Sequence, residues 1–297
     1  RGFIEGKVSR FSAKNINLTF GMGSSLSGYV NMYGLPDFSE TFIDSKIREG
    51  FVMAADLAPY ASDDFISSLR KFGRIRLQGG FSGFQNDFVS NANFETEIGR
   101  FITDINLKIP KEKGEKPTYS GRLSTQNFDL GYLLGDTSMY QLIDMSGSIR
   151  GTGFTKEDAR FYLISDIKRL GLKGYEYKNI QTNATLAEQF FNGNLNINDP
   201  NLQFVGNLSL DLKQTPEIIQ IKAELGKAVL DSLKITDKPA YLSSTLNVDM
   251  RGLKLDEITG DLFFDNTYFR YGERDIFIDR LNLISEYDSG RRALYVQ

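Results

Sequence analysis

Apolar and polar residues alternate along much of this chain, and the clearest example lies between residues 202 and 213. Its apolar side chains occur at every second position or nearly so: Leu202, Phe204, Leu208, Leu210 and Leu212. The polar residues Gln203, Asn207, Ser209, Asp211 and Lys213 lie between them. Because successive side chains of a strand point to opposite faces, this pattern predicts a β-strand with one apolar and one solvated face.

The same alternation recurs from one end of the chain to the other. It is seen at Ile16, Leu18 and Phe20, at Ile75 and Leu77, at Ile105, Leu107 and Ile109, and at Leu195 and Ile197. Tight-turn residues separate such segments at Gly21–Ser25, Gly79–Gly80, Asn192–Gly193 and Asp199–Asn201. Short turns join antiparallel neighbours, so the sequence predicts an antiparallel meander.

A loose internal repeat divides the chain. An acidic residue followed by leucine and a short helix-compatible run occurs at Asp56-Leu57, Asp129-Leu130 and Glu224-Leu225. New strands are expected near Gly73, Gly147 and Thr245. We therefore expect one continuous repeating segment over residues 1–297, with approximate sub-units 1–72, 73–146, 147–244 and 245–297, each closed by a short crossing element.

One crossing element is predicted to be an amphipathic helix over residues 62–72. Ser62 is a suitable N-cap, acidic residues come early and basic residues late. Phe65, Leu69 and Phe72 recur at helical spacing. These three side chains should therefore lie on one helix face.

Composition supports an all-β fold and excludes several kinds of chemistry. The chain has 28 Gly, 23 Phe and 14 Tyr but 7 Pro, which favours aromatic-rich strands. Its net charge is −3 without a basic stripe, so no nucleic-acid partner is predicted. It contains neither His nor Cys, the usual bases, nucleophiles and metal ligands. We predict no enzymatic activity, no cofactor and no metal site.

The sequence shows neither a membrane-spanning helix nor a signal peptide. No stretch approaches the roughly 20 apolar residues of a spanning helix. The first residues, Arg1–Glu5, lack an initiator Met and the charge pattern of a signal peptide. We expect the chain to be a segment of a longer protein.

The apolar strand faces need a partner, and the chain offers few helices to cover them. In an ordinary sandwich these faces would pack against a second sheet as core, and that alternative stays open. We favour an elongated, curled antiparallel sheet with a few short helices, whose inner face is open to a ligand. The lining of this groove would be the fifteen apolar residues named above in five strands.

Several segments, taken in order, resemble the TamB family of translocation and assembly module proteins, in its Bacteroidota, AsmA-like form. They are residues 27–37 followed by 40–44, residues 81–88, residues 119–123 leading to 128–131, residues 191–195 and residues 258–262. The resemblance covers nearly the whole chain. It rests on the order and spacing of the segments.

The resemblance implies a fold and a function. Proteins of the TamB family form β-grooves shaped like a folded taco. They are anchored in the inner membrane and extend through the periplasm towards an outer-membrane barrel of the Omp85 class. They are thought to conduct phospholipid along the groove and to support outer-membrane biogenesis. The chain would be a middle segment, binding acyl-chain lipid, with the barrel contacted by another part of the protein.

Two other functions remain open from the sequence. An outer-membrane β-barrel also alternates apolar and polar residues, although it normally has aromatic girdles and this chain has no Trp. An extracellular adhesin or glycan-binding module would use exposed aromatic side chains to stack on sugars.

Overall fold

The computed structural model describes residues 1–60, 63–110, 112, 114–153, 157–253, 258–288 and 291–296. The chain is all-β, with antiparallel strands making up 70% of the residues that the structure describes. Three short α-helices occur among the described residues: α1 (Ala54–Leu57), α2 (Asp63–Arg70) and α3 (Leu130–Leu134). The predicted fold class, an antiparallel all-β protein with few short helices, is confirmed.

The chain divides into two compact units, residues 1–154 and residues 155–297. The first contains β1 (Phe3–Lys7), β2 (Arg10–Phe20), β3 (Ser24–Tyr33), β4 (Phe42–Met53), β5 (Arg74–Phe84), β6 (Asp87–Thr96), β7 (Gly99–Lys108), β8 (Thr118–Asp129) and β9 (Tyr140–Thr152). The second contains β10 (Arg160–Leu172), β11 (Tyr175–Ala187), β12 (Phe190–Asn198), β13 (Leu202–Asp211), β14 (Ile218–Val229), β15 (Ala240–Arg251), β16 (Thr259–Tyr271), β17 (Arg274–Asp288) and β18 (Arg291–Val296).

Within each unit, consecutive strands pair antiparallel from the first to the last. The predicted meander is therefore confirmed in both units. The proposed boundaries 146/147 and 244/245 lie inside β9 and β15. The division into four sub-units stays a prediction.

Two of the four predicted turns are wrong. The turn at Gly21–Gly23 joins β2 to β3, and Asp199–Asn201 joins β12 to β13, as expected. Gly79–Gly80 and Asn192–Gly193 instead lie inside β5 and β12. A Cβ on Gly79 would lie 2.6 Å from the Cβ of Ala92 on the neighbouring strand. A Cβ on Gly193 would lie 2.5 Å from the Cβ of Ala184. Gly79 and Gly193 therefore serve close strand packing and not chain reversal.

Crossing elements follow β4 and β8 in the first unit and β14 in the second. Helix α2 lies within the predicted 62–72 segment, although Ser62, its predicted N-cap, is outside the described residues. Ile66 is buried, and the Phe72 ring lies 5.7 Å from that of Phe101. The side chain of Phe65 is also outside the described set. The predicted amphipathic helix is thus confirmed over Asp63–Arg70.

The third crossing element lies later in the chain than predicted. Glu224 and Leu225 belong to β14, a strand and not a helical run, because their alternation continues that of the preceding residues. The turn at residues 230–239 follows, and its Leu233 is buried in a cluster with Leu225 and Ala228. The strands expected near Gly147 and Thr245 begin earlier, at Tyr140 and Ala240.

Candidate functional site

Strand β13 shows the predicted alternation in detail. Phe204, Leu208 and Leu210 are half-buried on one face, whereas Gln203 and Asn207 are exposed on the other. Val205 is an exception, because this apolar side chain lies on the polar face and is 56% exposed. The faces assigned from sequence to Phe204, Leu208 and Leu210 therefore match the strand.

The register of β12–β15 joins the predicted residues of the second unit into one surface, which we call the apolar face. It consists of four cross-strand rows: Ile197, Phe204, Leu225 and Ser244; Leu195, Gly206, Ala223 and Leu246; Gly193, Leu208, Ile221 and Val248; and Phe191, Leu210, Ile219 and Met250. None of these side chains is charged, and Ser244 is the single hydroxyl. Predicted residues from two strands are thus brought side by side.

Two predicted lining residues lie at the ends of β13. Leu202 pairs with Ala228 and packs against the buried cluster of Leu225 and Leu233. Leu212 follows the last residue of the strand and is half-buried. Both flank the apolar face rather than extend its rows.

The remaining predicted residues lie in the first unit and are also brought together there. Leu18, Leu26, Gly50, Leu77, Phe94 and Phe101 form one row across β2–β7. Other predicted residues are an even number of positions from a member of this row on the same strand, so they point to the same face: Ile16, Phe20, Ile75, Ile105 and Leu107. Ile109 follows the end of β7. The predicted lining residues of the first unit therefore lie on or beside an apolar surface of that unit.

Most of the predicted lining side chains keep contact with solvent. Ile75 and Ile197 are buried, Leu18 and Ile109 are exposed, and the others are half-buried. In a close-packed core, side chains at such positions lose nearly all solvent contact. These surfaces are therefore intermediate between a sealed core and an open exterior.

The first unit's apolar surface also carries an aromatic cluster that is not among the predicted lining residues. Phe94 and Phe101 stack with ring centres 4.6 Å apart, and Phe128 lies edge-on to Phe101 at 5.9 Å. Phe81 and Phe88 form a second pair at 4.6 Å. The signal was present, because Phe101 has the same parity as Ile105 and Leu107 in β7.

A buried carboxylate fixes helix α1 to the β2–β3 turn. Asp56 accepts hydrogen bonds from the backbone N–H groups of Met22 at 2.9 Å and Ser24 at 3.0 Å, and from the Ser24 hydroxyl at 2.7 Å. The bonds from Met22 and then from Ser24 hold the pKa of Asp56 below its ordinary value. This gives the Asp56-Leu57 motif a structural role.

A second carboxylate ties the β12–β13 turn to β11. Asp199 is 1% exposed and accepts hydrogen bonds from the Tyr175 hydroxyl at 2.5 Å and the Lys178 N–H at 2.9 Å. It also accepts from the Asn201 N–H at 2.8 Å. Burial, followed by the bond to Asp199, raises the pKa of Tyr175 to about 12. Tyr175 also packs against the buried cluster of Leu225, Ala228 and Leu233.

Chemistry outside these surfaces is sparse. Among the described residues, no group of three Asp or Glu side chains lies close enough to hold a metal ion. No helix in the described ranges has the length and apolar character needed to cross a bilayer.

No protein-family model, curated protein or solved structure matches the chain.

Proposed function

We propose that this chain binds the acyl chains of phospholipid on its apolar faces and conducts lipid, without catalysis, as part of a TamB-like protein. That protein would be anchored in the inner membrane, cross the periplasm and support outer-membrane biogenesis. The observation that carries the proposal is the continuity of the second unit's apolar face, whose rows cross β12–β15. Of its fourteen side chains, eight are half-buried and six are buried.

The dimensions and energetics of the apolar face suit an acyl chain. Four strands extend about 14 Å across the sheet, and four rows extend about 20 Å along the strands. Each methylene removed from water contributes ~0.8 kcal/mol, so a bound chain gains on the order of 10 kcal/mol before the costs of ordering. Small residues such as Ala223 and its cross-strand partner Gly206 form no deep pocket that would hold the acyl chain at one position.

The opposite face of these strands is polar and exposed, which also supports the proposal. Gln203, Asn207 and Lys222 point away from the apolar face and are exposed. A lipid whose chain lies on the apolar side can keep its headgroup in water at the open edge. Contact with an Omp85-class barrel would involve another part of the longer protein.

Photo-crosslinking at successive positions of β13 tests the proposal. Benzoylphenylalanine at positions 204, 208 and 210 should label phospholipid in the purified chain, whereas the same residue at 203, 205 and 207 should not. The reason is that the two sets point to opposite faces of the strand. Position 205 is the sharpest control, because Val205 is apolar but lies on the polar face.

Any of three other crosslinking results would contradict the proposal. Crosslinks from 204, 208 and 210 to protein alone would indicate a sealed core. Equal labelling at all six positions would indicate non-specific adsorption of lipid. Labelling only at 203, 205 and 207 would place the lipid on the opposite face.

A further inference from the structure

The polar face of β10–β13 carries an unusual concentration of side-chain amides. Two cross-strand rows lie there: Ile164, Asn183, Asn194 and Asn207; and Asp166, Gln181, Asn196 and Val205. They line a cavity of about 500 Å³. A neighbouring cavity of about 590 Å³ adds Asn179, Asn198 and Gln203. We call Asn183, Asn194, Asn196, Asn207, Gln181 and Gln203 the amide patch.

Strand stability does not explain this composition. Asn is depleted in β-strands, where Thr or Val would be favoured at exposed positions. The same two rows continue on β14 with Lys222 and Glu224, which are ordinary solvated side chains. The first row reaches one more amide, Asn247 on β15, beyond Lys222. The consecutive amides of both rows lie on β11–β13, where the cavities lie.

Much of the hydrogen-bonding capacity of the amide patch is unused. In the described part of the chain, the side chains of Asn183, Asn196 and Gln203 make no hydrogen bond. Asn194 donates to Asn207, and Gln181 donates to Asp166 at 2.9 Å. Each free amide offers both donors and an acceptor to a ligand.

Two apolar side chains lie at opposite corners of the two rows. Ile164 on β10 is 48% exposed, and Val205 on β13 is 56% exposed. They lie about 14 Å apart across the strands, with the amides between them. The surface thus combines neutral donors and acceptors with apolar contacts at both ends.

We propose that the amide patch binds a neutral linear oligosaccharide. Hydroxyl groups both donate and accept, so they pair with amides without the charge that an anionic ligand would require. The C–H faces of the sugar rings would contact Ile164 and Val205. Asp166 and Lys168 are the charged side chains lining these cavities, and their charges are opposite. The patch lies on the polar face of β12 and β13, opposite the apolar face, so the proposal is independent of lipid binding.

Titration of the full chain with cellohexaose, chitohexaose and maltohexaose tests the proposal. Two-dimensional NMR with ¹⁵N-labelled protein reports the side-chain amide groups directly. We expect at least one sugar to bind with a dissociation constant of ~1 mM or lower and to shift the side-chain signals of Asn183, Asn194 and Asn196. The double variant Asn183→Ala, Asn196→Ala should weaken this binding by about tenfold or more, since two hydrogen-bonding groups are lost.

Asn247→Ala is the matched control. Asn247 is exposed on the same polar face and pairs with Lys222 on β14, outside the amide patch. This variant should bind sugar like the unaltered chain. Asn183 and Asn196 make no side-chain hydrogen bonds to other described residues, so their replacement should leave the far-UV circular dichroism spectrum unchanged. Should the double variant unfold, Val205→Asp is the second test, because a charge at this apolar corner of the cavities should also weaken sugar binding. Absence of binding by all three sugars, equal binding by the double variant, or shifts confined to the apolar face would overturn the proposal.

Discussion

Asp56 shows how one side chain determines where a crossing element lies. Its carboxylate accepts four hydrogen bonds from the β2–β3 turn, from the N–H groups of Met22, Gly23 and Ser24 and from the Ser24 hydroxyl. Gly21 adjoins the carboxylate so closely that a Cβ there would overlap it. The turn glycine and the acid therefore form one structural unit, although 35 positions separate them.

Replacing Asp56 by Asn should destabilise the fold in a pH-dependent way. The amide presents a donor where the carboxylate accepts, so the urea midpoint should fall at pH 7. Because the folded-state pKa of Asp56 is lowered, its contribution is fully present above the unfolded pKa, about 3.9, and is lost as pH falls through the folded value. The difference between the two proteins should therefore shrink in acid, measured by urea unfolding at several pH values.

Asp104→Asn is the control for this comparison, because Asp104 is exposed on β7. It should leave the midpoint nearly unchanged throughout. An Asp56→Asn protein with the same midpoint as the unaltered chain at pH 7 would show that the four hydrogen bonds are not formed.

At the scale of elements, alternation predicted the faces of strands better than their ends. The parity of Phe204, Leu208 and Leu210 was correct because side-chain direction follows directly from position in a strand. Glycine was ambiguous, since Gly193 permits either a turn or the close approach of a neighbouring strand. Only the neighbour, Ala184, decides between these, and it is not adjacent in sequence.

Two adjacent residues of β7 test the assigned faces. Phe101 contacts three aromatic rings on the apolar surface, whereas Ile102 is 51% exposed on the other face. Phe101→Ala should reduce the free energy of unfolding by about 3 kcal/mol, through lost burial and the cavity that remains. Ile102→Ala should cost about 1 kcal/mol or less, since little burial is lost. Urea unfolding measures both.

Equal losses for the two variants would contradict this assignment of faces. A larger loss at Ile102 would mean that the register of β7 is shifted by one residue, which would reverse every side chain of the strand.

At the scale of the whole molecule, the sequence assigns faces to the proposed lining residues but does not show how they are grouped. The predicted lining residues fall into two sets, one in each unit. Alternation is a local property, and it assigns a face to Leu195 or Leu77 without identifying the strands beside it. The cross-strand partners come from register, which depends on turn lengths and bulges such as those between Ala13 and Ile16.

The groove proposal makes a further prediction about charge. Phe204→Glu should remove phospholipid that copurifies with the chain, as measured by native mass spectrometry. A carboxylate on the apolar face must either stay hydrated, which admits water, or lose its hydration without a partner at a cost of several kcal/mol.

Gln203→Glu is the matched control, because it adds the same charge one residue away on the polar face. It should leave the lipid in place. Both variants must keep the strand-dominated circular dichroism spectrum. Retention of lipid by Phe204→Glu at the level of the Gln203→Glu protein would place the lipid away from β13, whereas loss from both would indicate that net charge, and not the apolar face, controls binding.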